Sequence, residues 1–337
     1  MIRRILAIAL VLVLAAGTLI AFWPQLFGLQ RAPVAAQVVS LRGMAAAVSL
    51  FIVLALVVLG FLVPKLRRLC GAIGAIGLLF VVATVAVMAI RGLGSSGFHH
   101  KGPSDLTIMS WNTLGGAPGP MTIANAAIDA GADVVSLPET TNDVATEVAR
   151  IMGAAGHPMW VHTFSYDQIS KARSTSILIS TSLGKYNVDI DHRTTQVLPT
   201  LVATPADGTG PTIVAVHVVA PSPSQLNHWK LDLTWIEQLC QGKNVILAGD
   251  FNSTLDHYWG LGEVPANGIG NCLDAGLASG NGAVGTWPTS LPPLLGAPID
   301  HIMATPGWQV TGMRVIGDLD GAGSDHRPIV VQLMPLR

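Results

Sequence analysis

The chain is predicted to fold as an α/β sandwich of two mixed β-sheets with flanking helices, preceded by three transmembrane helices. Three long apolar runs without an internal charge lie before residue 91. From Leu106 onward, short β-like runs alternate with turn residues and a few helical stretches. Charge divides at the same place, because residues 1–91 hold eight basic and no acidic residues, whereas the remainder holds eleven basic and twenty acidic residues, a net −9. Two physically different parts are therefore expected.

Residues 1–91 are predicted to be a membrane anchor. The apolar runs cover about residues 5–23, 44–63 and 69–90, and each is close to the roughly 20 residues that a helix needs to cross a bilayer. A cleavable signal peptide is the alternative for the first run, since Arg3 and Arg4 precede it. The run is long for a signal peptide and two further spans follow it, which favours a membrane helix.

The basic residues of the anchor predict its orientation. Two precede the first span and three lie in the short loop 64–68, whereas the longer loop 24–43 holds two. Because cytoplasmic loops are enriched in Lys and Arg, the amino terminus and the 64–68 loop are placed in the cytoplasm. A multi-pass protein of a bacterial cytoplasmic membrane with an extracytoplasmic C-terminal domain is expected. Residues 92–105, which contain Gly, Ser and Pro, are expected to form a flexible linker.

Residues 106–337 are predicted to form the sandwich. Strands outnumber helices, and several apolar runs lack alternation, so these strands are expected to be buried on both faces. The predicted strands are 106–111, 134–137, 176–180, 201–204, 212–217, 244–248, 299–304 and 329–333. The predicted helices are 120–130, 142–154 and 224–240.

Polar residues cluster at the ends of these strands. Any one of them is more often a turn residue, a helix cap or a hydrogen-bonded structural group than a functional one. A repeated layout weakens that interpretation, because carboxylates, carboxamides and imidazoles make a poor core and a good site for a hard cation and a phosphate. The residues are Asn112, Glu139, His217, Asp250, Asn252, Asp300, Asp325 and His326.

The order of the short motifs around these residues resembles the endonuclease/exonuclease/phosphatase family, which includes deoxyribonucleases and bacterial sphingomyelinases. The combination of Gly249-Asp250-Phe251-Asn252 with Ser324-Asp325-His326 is specific, whereas either motif alone is weak. The other matching stretches are Ser110-Trp111-Asn112, Leu137-Pro138-Glu139-Thr140, Val216-His217 and Ile299-Asp300-His301-Ile302. The resemblance covers residues 106–333 and implies a four-layer α/β sandwich with a catalytic domain at 106–337.

The resemblance also implies a division of labour. Asn112, Glu139 and Asp325 would bind Mg²⁺, with Mn²⁺ or Ca²⁺ as alternatives, since oxygen ligands suit these ions.

His326 would contact the phosphate and support attack by water, with Asp300 accepting from its second ring nitrogen. Asp250 would orient or deprotonate the water, and Asn252 would donate to a phosphoryl oxygen. His217 would help the leaving oxygen or bind phosphate. Which residue is the base stays open.

Two further residues are candidates for substrate binding. Arg173 could pair with a phosphate, or be a solvated surface residue. Trp287 could line the substrate entrance, or be packed in a loop. Whether Cys240 and Cys272 form a disulfide also stays open, while His257 is expected at the surface.

The expected activity is metal-dependent hydrolysis of a phosphodiester or phosphomonoester. A nucleic-acid binder normally presents a basic face, so the −9 charge disfavours nucleic acid as the substrate. The membrane anchor favours a lipid-linked or envelope substrate. The alternatives are an extracellular nuclease, a hydrolase of soluble phosphate esters, and a non-catalytic membrane-anchored binding module of the same fold.

Overall fold

The computed structural model describes residues 2–95, 97–167, 169–189, 194–262 and 267–336. The chain divides into two compact units, residues 1–90 and residues 91–337.

The first unit is helical. It contains α1 (Ile2–Phe22), the short α2 (Ala35–Ser40), α3 (Arg42–Leu62) and most of α4 (Arg67–Arg91). Three helical segments, Ile2–Phe22, Arg42–Leu62 and Pro64–Arg91, are long and apolar enough to cross a membrane. Most of their large apolar side chains are exposed on the protein, as is expected where lipid is the solvent.

Small residues mark the contact between α3 and α4. The Ser49 hydroxyl donates to the carbonyl of Gly77, at 3.2 Å. A Cβ atom at Gly77 would lie 2.8 Å from the Val53 side chain, so only glycine allows this approach. Close approach at small residues is typical of helix pairs in membranes.

The second unit contains two β-sheets. The six-stranded sheet has the order β12 (Trp308–Val315), β13 (Ile329–Pro335), β1 (Leu106–Ser110), β2 (Val134–Pro138), β4 (Ser174–Ser180) and β3 (Met159–Ser165). The seven-stranded sheet has the order β5 (Tyr186–Val188), β6 (Leu201–Pro205), β7 (Thr212–His217), β8 (Val245–Asp250), β11 (Asp300–Ala304), β10 (Cys272–Asp274) and β9 (Gly268–Ile269). Each sheet contains one parallel pair, β1–β2 and β7–β8 respectively, among antiparallel neighbours.

One apolar cluster joins the facing sides of the two sheets, with Ile108 and Ile177 from one sheet and Ile213 and Ile246 from the other. A second cluster packs α5 (Pro120–Asp129) and α6 (Asn142–Ala154) against the outer face of the six-stranded sheet. Helix α7 (Leu226–Leu239) is tied to the segments flanking β7 and β8, and the short α8 (Ala275–Ser279) follows β10. The predicted α/β sandwich of two mixed sheets with flanking helices is confirmed.

Described residues of the segment 92–105, which was predicted to be a flexible linker, are hydrogen-bonded to the rest of the second unit. The amide of Gly94 donates to the carbonyl of Gly280, and the amide of His99 donates to that of Thr311. Phe98 lies against Gly312. A Cβ atom added at Gly312 would come within 2.6 Å of the Phe98 ring. Backbone pairing, which composition does not report, therefore holds part of this segment on the sheet.

The structure forms a disulfide between Cys240, which follows α7, and Cys272 at the start of β10. The prediction for His257 is wrong, because this residue is fully buried and its Nδ1 accepts the amide of Thr254.

Candidate active site

The topology brings the predicted residues to one end of both sheets. Strands β1 and β2 are parallel, so Asn112 and Glu139, which follow them, lie at the same edge. Strands β7 and β8 are also parallel, and His217 pairs directly with Asp250. The antiparallel strand β11 places Asp300 opposite Asp250.

The segment before β13 completes the cluster. The indole of Trp111 donates to the carbonyl of His326 at 2.8 Å, and the hydroxyl of Ser324 donates to the carbonyl of Asn112 at 2.6 Å. The Ser324 hydroxyl also accepts the amide of His326 at 3.1 Å. The first two bonds join the first and last motifs, which lie over 200 residues apart in the chain, and the third fixes the turn within the last motif.

His326 is held by Asp300. Its Nδ1 lies 2.9 Å from Asp300 Oδ2, and its Nε2 lies 3.8 Å from Asp250 Oδ2 and 4.0 Å from Asp325 Oδ1, beyond hydrogen-bond distance. Burial alone would lower the pKa of His326, but the carboxylates of Asp300 and Asp250 outweigh it and raise the pKa to about 10. Without a cation the imidazole is therefore positively charged, with Nε2 directed at the carboxylates.

Asp250 is buried among donors. Its Oδ1 accepts the amide of Asn252 at 2.8 Å, and its Oδ2 accepts the side-chain amides of Asn112 at 3.0 Å and Asn252 at 3.2 Å. Burial raises the pKa of Asp250 to about 7, although the charge of His326 opposes this effect. A carboxyl group whose pKa lies near neutrality can exchange a proton there.

Glu139 lies beside the same amide. Its Oε1 accepts from Asn112 Nδ2 at 3.1 Å. Burial raises the pKa of Glu139, and the hydrogen bond from Asn112 partly offsets the increase. Asn112 thus bridges two carboxylates with its nitrogen, while its oxygen accepts the amide of Leu114 at 3.0 Å.

His217 is neutral. Its Nδ1 lies 3.4 Å from the hydroxyl of Thr175, and its amide donates to the hydroxyl of Thr200 at 3.0 Å. Burial lowers the pKa of His217 to about 3, and the charge of His326 adds to the effect. Its Nε2 is buried 3.8 Å from Glu139 Oε1, without a hydrogen-bond partner in the described residues.

Two backbone conformations at the site are unusual. Glu139 has φ +56° and Asn252 has φ +45°, in the left-handed region that residues with a Cβ atom rarely adopt. Such strain persists where the surrounding structure over-determines it, often at functional sites.

Asn252 and Arg173 both have partners within the protein. The side-chain nitrogen of Asn252 donates to the carbonyl of Val218 at 2.8 Å as well as to Asp250, so it braces the loop. Arg173 pairs with Asp167 at 2.7 Å, and its guanidinium lies 5.9 Å from the centre of the Tyr166 ring.

Trp287 contacts the site through a hydrogen bond. Its indole nitrogen donates to Asp325 Oδ2 at 2.9 Å.

Sequence reasoning missed the residues that hold the site together. Thr286 accepts the amide of Asp300 at 3.1 Å, and Arg327 is fully buried beside His326. Ser324 stands inside the matched Ser324-Asp325-His326 motif and Arg327 follows it directly, so their position could have signalled them. Thr175 and Thr200 carry no such signal, because threonine is common in strands.

The cluster fits a divalent cation. Four carboxyl groups, those of Glu139, Asp250, Asp300 and Asp325, lie around one charged histidine, so their ionised forms exceed the positive charge of the cluster. Asp300 Oδ1 and Asp325 Oδ1 are buried and have no hydrogen-bond partner in the described part of the chain. Ligand atoms of Asp250, Asp300 and His326 lie within 4.8 Å of one another. Because His326 and Asp300 already bond to each other, the free carboxylate oxygens are the better ligands.

Comparisons with known proteins agree with this geometry. Residues 109–326 match the model of the Endonuclease/Exonuclease/phosphatase family. No curated protein matches the chain.

Solved structures share the fold. Humanized TDP2 of D. rerio, carrying 14 mutations, is 20% identical and aligns over 68% of this chain and 99% of its own, with a TM-score of 0.52. The endonuclease/exonuclease/phosphatase of Bacteroides vulgatus is 16% identical over 69% of this chain and 99% of its own, with a TM-score of 0.52. That of Beutenbergia cavernae is 21% identical over 69% of this chain and 72% of its own, with a TM-score of 0.51. Since the family model spans well over half of the sequence, the chain belongs to the Endonuclease/Exonuclease/phosphatase family.

Proposed function

We propose that this chain is a membrane-anchored phosphoesterase that uses a divalent cation to hydrolyse a phosphodiester or phosphomonoester by attack of water. The observation that carries the proposal is the His326–Asp300 pair, whose free Nε2 faces carboxylates with unpartnered buried oxygens. An acyl-transfer or hydride-transfer site does not require this excess of negative charge.

Each residue has a role that follows from its surroundings. Glu139 and Asp325 would hold the cation, with Asn112 fixing the orientation of Glu139. When bound, the cation neutralises phosphate charge and favours attack at phosphorus. Mg²⁺ is favoured because oxygen ligands dominate the cluster, and Mn²⁺ or Ca²⁺ are the alternatives.

The remaining groups act on protons and on the phosphoryl oxygens. Asp300 holds the His326 ring by Nδ1, so Nε2 can donate to a phosphoryl oxygen. Asp250, with its pKa raised to about 7, is suited to orient the attacking water and accept its proton. The neutral His217 offers Nε2 to phosphate or to the leaving oxygen.

The disulfide supports a location outside the cytoplasm. Disulfides persist in oxidising compartments and are rare in the cytosol. The Cys240–Cys272 bond and the basic residues of the 64–68 loop therefore favour the same topology, with the catalytic unit on the outer side of a bacterial cytoplasmic membrane.

The substrate is proposed to be membrane-associated, either lipid-linked or part of the envelope. The −9 charge beyond residue 91 disfavours long-range attraction to a nucleic acid. The three apolar helices would restrict the site to the neighbourhood of a bilayer. A nuclease is the second candidate within the same chemistry. A non-catalytic binding module is disfavoured, because none of the acidic and histidine side chains of the cluster has been lost.

The test is a substrate comparison with the full-length chain in lipid nanodiscs. Wild type, His326→Ala and the exposed control His228→Ala are assayed with bis(p-nitrophenyl) phosphate, p-nitrophenyl phosphate, a phospholipid and single-stranded DNA. We expect hydrolysis that EDTA abolishes and Mg²⁺ or Mn²⁺ restores. His326→Ala should lower the rate about 10²- to 10⁴-fold, the range of general acid–base catalysis, and His228→Ala should not change it.

Each outcome separates the candidates. Phospholipid hydrolysis without DNA hydrolysis supports the membrane substrate, and the reverse supports the nuclease. A folded wild type that is inactive on all four substrates with either cation would support the binding module.

A further inference from the structure

The two oxygens of the Asp325 carboxylate have different surroundings. Oδ2 accepts the indole N–H of Trp287 at 2.9 Å. Oδ1 is buried without a hydrogen-bond partner in the described residues and lies 4.0 Å from His326 Nε2. The side chain as a whole is 43% exposed, so burial alone does not fix its orientation.

The loop that carries Trp287 is anchored at several points. We call residues 285–291 the indole loop. The amide of Thr289 donates to the carbonyl of Asp325 at 3.0 Å, and the amide of Arg327 donates to the carbonyl of Thr286 at 2.8 Å. The Thr286 hydroxyl accepts the amides of Ile299 and Asp300, both at 3.1 Å.

Arg327 completes the anchoring. Its fully buried guanidinium donates to the carbonyls of Gly285 at 3.2 Å, Thr289 at 3.2 Å and Leu291 at 2.7 Å, and it pairs with Asp320 at 2.6 Å. The buried arginine follows His326 directly in sequence. The indole loop is therefore held in place by the segment that presents the catalytic histidine.

We propose that Trp287 is a positioning residue, which holds Asp325 Oδ2 so that Oδ1 stays directed into the carboxylate cluster. A half-exposed carboxylate without this donor would rotate, because its terminal torsion is broad and water competes for both oxygens. Outer hydrogen bonds that orient a ligand typically contribute 10- to 100-fold to metal affinity. The inference rests on the proposed function, since it assumes that Asp325 serves a bound cation.

This role differs from lining the substrate entrance, which the sequence suggested for Trp287. A lining residue acts through the ring and changes KM, whereas a positioning residue acts through the N–H and changes cation affinity. Trp287→Phe separates the two roles, because phenylalanine keeps an aromatic ring and lacks the donor.

A matched control exists at the start of β12. Trp308 is also partly exposed, and its indole donates to the side chain of Asn244 at 2.8 Å. Asn244 and Trp308 lie near the ends of β8 and β11 that are opposite to Asp250 and Asp300. Trp308→Phe therefore removes the same type of hydrogen bond away from the cluster.

The experiment measures Mn²⁺ binding to the full-length chain in detergent micelles by calorimetry and by electron paramagnetic resonance of free Mn²⁺. We expect Trp287→Phe to raise the Kd about 10- to 100-fold and Trp308→Phe to leave it unchanged. Activity of Trp287→Phe should recover at saturating Mn²⁺, with an unchanged KM for bis(p-nitrophenyl) phosphate.

Asp320→Asn is a second variant that keeps the test decisive where Trp287→Phe does not fold. It weakens the anchoring of the indole loop through Arg327 and should raise the Mn²⁺ Kd by a smaller factor. If every folded variant binds Mn²⁺ as tightly as wild type, the positioning role is overturned. The proposed function still stands in that case, provided that wild type hydrolyses the substrate. A wild type that binds no Mn²⁺ and no Mg²⁺ overturns both.

Discussion

Asp300 and His301 are consecutive residues of β11, and each belongs to a different histidine–aspartate pair. Asp300 Oδ2 lies 2.9 Å from Nδ1 of His326, and His301 Nδ1 lies 2.7 Å from Asp274 Oδ2. Both histidines are buried, and the pKa of each is raised because carboxylates outweigh the effect of burial. By composition, distance and burial the two pairs are nearly alike.

The second ring nitrogen distinguishes them. Nε2 of His301 lies 2.9 Å from the carbonyl of Ser253, so both nitrogens face acceptors and the imidazole is fully bonded. Among the described residues, Nε2 of His326 has no acceptor within hydrogen-bond distance, because Asp250 and Asp325 lie 3.8 and 4.0 Å away. A histidine–aspartate pair therefore indicates reactivity only where the other nitrogen remains available. His301 instead ties β11 to the loop after Asp250, which carries Asn252 and Ser253.

The largest expected effect comes from exchanging the aspartates. Asp300→Asn removes the charge that stabilises the His326 imidazolium, and we expect the hydrolysis rate to fall about 10²- to 10⁴-fold at unchanged fold. Asp274→Asn removes the matching charge from the other pair and should keep the rate within a few fold of wild type. Hydrolysis rates on bis(p-nitrophenyl) phosphate measure the effect of each variant, and far-ultraviolet circular dichroism checks that each variant is folded. Equal losses of rate in the two variants would contradict the distinction.

Replacing His301 should lower the free energy of unfolding more than it lowers the hydrolysis rate. His301→Gln leaves Asp274 or the Ser253 carbonyl without its donor, and breaking a buried charged pair costs about 3–5 kcal/mol. Urea unfolding of the full-length chain in micelles, followed by tryptophan fluorescence, measures this loss. Seven of the eight tryptophans lie beyond residue 91 and report on the second unit. A variant as stable as wild type would show that the His301 bonds contribute little.

The sequence predicted the fold well where strands are buried on both faces. Strands β1, β2, β7, β8 and β11 were expected within one or two residues, because continuous apolar runs identify them. Five of the described strands were missed: the short β5, β9 and β10, and the longer β3 and β12. Strands β3 and β12 are the edge strands of the six-stranded sheet and have many half-exposed residues, and Gly312 interrupts β12 at a register shift. Edge strands depend on pairing with a neighbour, which local composition does not encode.

For the candidate site, the sequence predicted which residues would come together better than it predicted their contacts. Motif order identified the eight strand-end residues, but it could not show that Asn112 donates to two carboxylates or that Asn252 braces Asp250. It also could not rank His301 against His326, because each stands beside an aspartate in the sequence, as Asp300-His301 and Asp325-His326. Hydrogen-bond partners come from residues distant in sequence, such as Ser253 and Asp274.

The smallest expected effect is the pH dependence of the contribution that His301 makes to the free energy of unfolding. Burial lowers the pKa of His301, but Asp274 and the Ser253 carbonyl outweigh it, so the folded value lies above the unfolded value of 6.5. The folded protein then binds the proton more tightly than the unfolded chain. The contribution is fully present below pH 6.5 and is lost as pH rises through the folded pKa, by at most about 1.4 kcal/mol per pH unit.

The difference in unfolding free energy between wild type and His301→Gln separates this contribution from the titrations that the two proteins share. Measured in EDTA from pH 6 to 9, the difference should shrink as pH rises. His217 provides a contrast of opposite sign: its pKa of about 3 means that wild type should lose stability relative to His217→Gln as pH falls below 6.5. A wild-type advantage over His301→Gln that is constant with pH would mean that His301 is neutral. One of its two bonds would then lack a proton, and the contrast between a fully bonded and an available imidazole would weaken.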